Sequence, residues 1–273
     1  MSSSASLPFV SLNPSAHQSI VFVHGAFSSP REWAPVCGHF KRYHLLVPSV
    51  PGHSQASDID FSLERTSELL ADLVSNNAKS GRAHIVGLSL GASIVLHFAS
   101  ACPELVDTVF VSGWGNFGPA NFLKPLLPWA IFFEQRFETS LPQSMVANLM
   151  EWPEQHYDDE LVKAFANVTE TSISVKLSKA IVDVCTSERK LVPVPARTLM
   201  VAATRRTGII PTDDSPSKVR SAAAVMKEGN RASRGVQHPQ MRHPWNNQDP
   251  GLFTRAVVAW IEEKPLPEGF LDL

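Results

Sequence analysis

The 273-residue chain is 44% hydrophobic and nearly charge-balanced, with a formal net charge of −2 at pH 7. That is enough apolar material for one large α/β domain, and there is no basic excess to hold nucleic acid or an anionic membrane. Its three distant cysteines, Cys37, Cys102 and Cys185, suit free thiols in a reducing compartment, and no apolar run is long enough to span a bilayer; a cytoplasmic location is expected.

Residues 1–18 form a Ser-rich lead-in without the basic and apolar regions of an export signal, and residues 8–12 can add a short edge strand. Residues 20–23 are continuously apolar, as a strand buried on both faces of a parallel sheet must be. They end in His24-Gly25-Ala26-Phe27, and Pro30 opens a helix over about 31–40. A second buried strand, 45–47, leads to Pro51-Gly52-His53-Ser54. Ser62 then caps a helix running to about residue 76, with Leu63, Leu70, Leu73 and Val74 on one face.

The most informative stretch is Gly87-Leu88-Ser89-Leu90-Gly91. It lies between the strand at 84–86 and a helical pattern at 92–99, so it reads as strand, sharp turn, helix. A serine at the tip of such a turn has a strained backbone and faces the positive end of the following helix. A fourth strand, 108–112, follows. The alternation of strand and helix then stops over 113–190, a segment predicted to be a helical lid rich in early aromatics such as Phe122, Trp129, Phe133 and Phe137. It resumes with a strand at 198–202 and a helix capped by Ser215 and Pro216 and ended by Gly229. A possible strand at 231–236 precedes a last helix from Asp249-Pro250, with Phe253, Val257, Trp260 and Ile261 inward. The core is therefore expected at 19–112 and 191–264, with a tail at 265–273.

A serine hydroxyl needs a base, and His243, on the loop before the last helix, is favoured over His238 five residues upstream. Leu90 N–H at the helix start and Ala26 N–H in the loop after the first buried strand are the candidate oxyanion donors. His24 reads as a structural histidine holding its own loop.

The order and spacing of His24-Gly25, Pro51-Gly52-His53-Ser54, the Ser89 turn and His243 resemble the α/β-hydrolase superfamily over about residues 18–263. The first loop also resembles small plant-type esterases and hydroxynitrile lyases. The resemblance implies a mostly parallel sheet with helices on both faces, a helical lid after the sixth strand, a Ser-acid-His triad and no cofactor or metal. It also implies a small-molecule substrate, met by Phe27, Trp114, Phe122, Trp129 and Phe133. The acid departs from the pattern. Residues 203–208 hold no carboxylate where one is expected, and Asp213 and Asp214 lie further on, where they could equally complement the positive end of the next helix. A dyad, or an acid from the lid, stays open. Arg205 and Arg206 are either solvated or set to meet a substrate anion.

Overall fold

The computed structural model describes residues 6–115, 125–186, 190–205 and 214–273. The chain enters with β1 (Phe9–Leu12) and β2 (Ser19–Val23). A 3-10 turn at Pro30–Trp33, α1 (Ala34–Cys37), β3 (His44–Pro48), α2 (Leu63–Asn77), β4 (Ala83–Leu88), α3 (Leu90–Ala101) and β5 (Val106–Ser112) follow. Four helices come next: α4 (Leu127–Glu138), α5 (Gln143–Met150), α6 (Asp159–Phe165) and α7 (Val175–Cys185). The chain closes with β6 (Arg197–Ala203), α8 (Pro216–Gly229), β7 (Arg234–His238), α9 (Trp245–Gln248), α10 (Pro250–Ile261) and β8 (Leu271–Asp272).

The strands form one eight-stranded sheet in the order β1-β3-β2-β4-β5-β6-β7-β8. The six inner strands are parallel, and β1 and β8 close the two edges antiparallel. Alternate residues of the buried strands feed opposite faces. On one face Val21, Ile85 and Met200 join one apolar cluster with Leu70 of α2, Val95 of α3 and Met226 of α8. On the other, Phe22, Phe110 and Val201 join a second with Trp33, Trp245 and Phe253. Helix starts fall where the capping residues put them. The Ser62 side chain accepts from Arg65 N–H, Ser215 from Lys218 N–H and Asp249 from Leu252 N–H.

Parallel register sets one edge of this sheet. Val23 pairs with Gly87, Leu88 with Ser112, Ser112 with Val201 and Ala203 with His238. The loops leaving β2, β4, β5, β6 and β7 therefore emerge together, at the carboxyl end where α/β sheets place their sites.

Four expectations need correction. The helical segment follows the fifth strand along the chain, not the sixth, and the eighth strand comes from the C-terminal tail, where Arg234 bonds Asp272. The helix expected over 31–40 is a 3-10 turn and one short α-turn, because Pro35 lacks an N–H and Gly38 ends the run. The late strand starts at Arg234; residues 230–233 form a turn in which the Asn230 side chain takes Ala232 N–H. Ile261 is only partly buried, whereas Phe253, Val257 and Trp260 point fully inward. The helical segment itself splits its packing. α6 adds Leu161 and Phe165 to one cluster, α7 adds Leu177 and Ile181 to the other, and α4 packs on α7.

Candidate active site

Ser89 has φ 57° and ψ −117°, a left-handed conformation that L-residues avoid, at the junction of β4 and α3. The strain persists because the surroundings fix it. Ser89 N–H donates to Ser112 O at 2.9 Å, and Ser89 O accepts from Ala92 N–H at 3.0 Å. The turn also needs Gly91, since a Cβ there would collide with the Val23 carbonyl and lie 2.8 Å from the His24 carbonyl. The start of α3 is thus pressed onto the end of β2. Gly25 lies in contact distance, a Cβ there standing 3.4 Å from Ser89 Cβ. Leu90 is the first residue of α3, directly after Ser89, and Ala26 follows Gly25 in the chain.

His243 lies between β7 and α9, and its Nδ1 is 2.6 Å from Asp214 Oδ1. Asp214 is buried and locked to the end of β6. Its N–H donates to Ala203 O at 2.9 Å, and its Oδ2 accepts Ala203 N–H at 2.8 Å. Asp214 thus bonds the last residue of β6 from eleven residues further along the chain. Asp213 lies outside the described residues, as do Phe122 and Arg206. Burial alone would lower the His243 pKa, but the charge and hydrogen bond of Asp214, with the charge of Glu32, hold it above its ordinary value. Gly113, with φ +71°, supplies the floor: a Cβ there would lie 2.8 Å from His243 Nδ1.

The rival His238 is elsewhere. Its ring packs edge-on to Phe270 at 4.9 Å and against Gly269 of the tail. His24 is structural: Nε2 accepts Val50 N–H at 3.1 Å, so Nδ1 carries the proton and donates to Gly25 O at 2.9 Å. Phe27, with φ 57°, tilts toward His53 at 6.5 Å. Trp114 follows Gly113 and lines a cavity of about 390 Å³ beside α3, with Leu96, His97, Val184 and Leu191; neither Ser89 nor His243 lines it. Trp129 and Phe133 stack at 6.4 Å, are 51% and 63% exposed, and do not line that cavity either.

Three connections escaped the sequence. The Ser112 hydroxyl accepts Trp245 Nε1–H at 2.8 Å, joining the Ser89 turn to the segment after His243. Glu151, at the end of α5, accepts Arg242 Nη2–H at 2.6 Å and Arg205 Nη1–H at 2.8 Å, so the Arg205 guanidinium, 40% exposed, is solvent-facing and ion-paired. Glu32 accepts Gly25 N–H at 2.7 Å. Only the last left a signal, a carboxylate directly before a tryptophan in a turn that should be apolar.

A parallel sheet with a strained serine at its carboxyl edge and a histidine–aspartate pair beside it defines a class of enzyme scaffold, and the comparisons fit it. The family described as Alpha/beta hydrolase family matches residues 20–256, and the chain belongs to that family. It is 34% identical over 265 residues to an "AB hydrolase superfamily protein" of Gibberella zeae, covering 96% of this chain and 86% of that one. It is 34% identical over 96 residues to the 2-succinyl-6-hydroxy-2,4-cyclohexadiene-1-carboxylate synthase of an Enterobacter species, covering 34% of this chain and 36% of that one. Among solved structures, a thermophilic esterase from Thermogutta terrifontis superposes with a TM-score of 0.68 at 16% identity, covering 94% of this chain and 93% of that one; at such identity the likeness is one of fold.

Proposed function

We propose that the chain is a serine hydrolase that cleaves a small, largely apolar ester or thioester through an acyl-enzyme. The observation that carries this reading is the 2.6 Å pair of His243 Nδ1 and Asp214 Oδ1 at the sheet edge that also presents Ser89. Asp214 fixes the tautomer in which Nδ1 holds a proton and Nε2 is free to accept one. In this mechanism Ser89 Oγ attacks the carbonyl carbon as His243 Nε2 takes the hydroxyl proton. The Ala26 and Leu90 N–H groups hold the oxyanion. The imidazolium then returns its proton to the leaving alcohol or thiol, and water, activated by the same nitrogen, releases the acid. Residues 113–190 act as the lid that selects the substrate, with Phe27 and Trp114 at its mouth. Among the described residues no helix is long and apolar enough to cross a membrane. The free thiols Cys37, Cys102 and Cys185, each with its pKa raised by burial, support a cytoplasmic setting.

A lyase or cyclase reaction, with His243 as acid-base and Ser89 positioning the substrate, is the second reading. The partial likeness to the Enterobacter synthase supports it; the histidine–aspartate pair weakens it, because that pair suits activation of a serine nucleophile. The deciding experiment measures hydrolysis of p-nitrophenyl acetate and butyrate, and labelling by a fluorophosphonate, in wild type and Ser89→Ala. Turnover and labelling in the wild type alone are expected. Labelling that survives the substitution removes Ser89 as nucleophile, and a wild type that binds ligand tightly but neither labels nor hydrolyses favours a ligand receptor on the same scaffold.

A further inference from the structure

We infer that Glu32 is a positioning residue for this site: its carboxylate sets the loop that presents Ala26, and Asn246, just after His243, holds its main chain so that its charge acts on the imidazole together with that of Asp214. The inference rests on the serine-hydrolase reading for its kinetic part only.

The geometry is that of a clamp between loops. Glu32 Oε2 accepts Gly25 N–H at 2.7 Å, a charge-assisted bond to the residue directly before Ala26. Both carboxylate oxygens lie 3.5–3.6 Å from where a Gly25 Cβ would stand, and that same point is 3.4 Å from Ser89 Cβ. The carboxylate is thus held at the back of the serine turn. Its main chain is fixed from the histidine side, since the buried Asn246 of α9 donates Nδ2–H to Glu32 O at 3.0 Å. From the other side, the next residue, Trp33, is fully buried against Phe22 and Phe253. Glu32 therefore has a fixed backbone between the oxyanion loop, the serine turn and the histidine loop.

A neutral side chain could accept one N–H without the cost of removing a charge from water. Burial raises the Glu32 pKa, opposed by the Gly25 N–H, the Ser28 hydroxyl and the charge of His243. His243 in turn feels Asp214 first and Glu32 after it. Other nearby groups add little. His24 and His53 are kept neutral by burial, with pKa values of about 3 and about 4, and Arg242 is engaged by Glu151. When His243 takes the Ser89 proton, the charge of Glu32 adds to that of Asp214 in favouring the imidazolium.

The test separates loop from charge. Glu32→Gln keeps an acceptor for Gly25 N–H and removes the charge; Glu32→Ala removes both; Glu32→Asp keeps the charge on a shorter arm. The His243 imidazole is titrated by NMR on histidine-labelled protein, with His243→Asn to assign its signal, and kcat/KM for p-nitrophenyl acetate is measured across pH. In Glu32→Gln, His243 should titrate at lower pH than in wild type, and the acid limb of kcat/KM should move down with it. In Glu32→Ala the plateau kcat/KM should also fall by at least about tenfold, with partial recovery in Glu32→Asp. An unchanged titration in Glu32→Gln overturns the charge role, and an unchanged plateau in Glu32→Ala overturns the loop role. A wild type inert toward the ester removes the hydrolase reading instead, and the NMR titration still decides the inference.

Discussion

Asp214 bonds His243 while anchored to the last residue of β6: its Oδ1 is 2.6 Å from Nδ1 while its backbone N–H and Oδ2 both bond Ala203. The strand end therefore fixes this carboxylate. Asp214→Asn should lower kcat by at least about a hundredfold with little change in KM, because the carboxylate acts on the imidazolium formed in the transition state. Steady-state kinetics on a p-nitrophenyl ester measure this. A loss of less than about threefold in both Asp214→Asn and Asp214→Ala would remove Asp214 from the triad.

The contrast between Ser89 and Asp214 shows what a sequence can carry. The serine turn was legible because its requirements are local: an apolar strand before, a helical pattern after, and small residues where α3 meets β2. His243 was legible from its place before the Asp249-Pro250 cap. Asp213 and Asp214 stayed open between pairing with the histidine and complementing the next helix, since the bond from Asp214 to His243 joins residues 29 apart, which no local pattern encodes. Glu32 and Glu151 were missed for the same reason. Their partners lie 7, 54 and 91 residues away in the chain, and periodicity reports burial, not pairing. The edge strand β8 was missed because two exposed residues carry no alternation to read.

Gly113 is the floor under the imidazole, and its φ of +71° favours glycine. Gly113→Ala adds on the order of 1–2 kcal/mol of backbone strain and pushes a methyl group into the His243 ring. Activity should fall by more than about tenfold, since a displaced imidazole misses the serine proton. Thermal unfolding and kinetics on the same preparation test this. A variant with a lowered Tm and full kcat/KM would show that His243 is placed by other contacts.

His24 and His53 make the fold acid-sensitive. Burial first, then the charge of His53, lowers His24 from 6.5 to about 3, and burial lowers His53 to about 4. Below pH 6.5 the unfolded chain binds protons that these folded histidines refuse, so stability is fully present above that pH. It falls by roughly 1.4 kcal/mol per pH unit for each histidine until the folded pKa is reached. His243, with a raised pKa, works the other way, favouring the fold below 6.5 and losing that contribution as pH rises through its folded value. Burial also holds His44, His84 and His238 below their ordinary value, so the depressed histidines outweigh His243 and the urea midpoint should drop between pH 7 and pH 5. His53→Phe should be less stable at pH 7 but lose less on acidification. Equal midpoints at both pH values in wild type would contradict the buried neutral histidines.

Glu151 ties the end of α5 to Arg242, the residue before His243, and to Arg205, two residues past β6. Arg242 is 8% exposed in its side chain and Glu151 is 45% exposed, so the pair is half-screened. Glu151→Gln should cost only about 1 kcal/mol of stability. Its larger effect should be kinetic, because the helical segment loses its bond to the histidine loop. KM for a p-nitrophenyl ester should rise, and 1 M salt should raise the wild-type KM toward that of the variant. Arg205→Ala tests the older expectation of an anion site: with its guanidinium already bound to Glu151, the ratio of kcat/KM for a neutral ester and a hemisuccinate ester should stay unchanged. A selective loss of the hemisuccinate reaction would mean that Arg205 leaves Glu151 for the substrate.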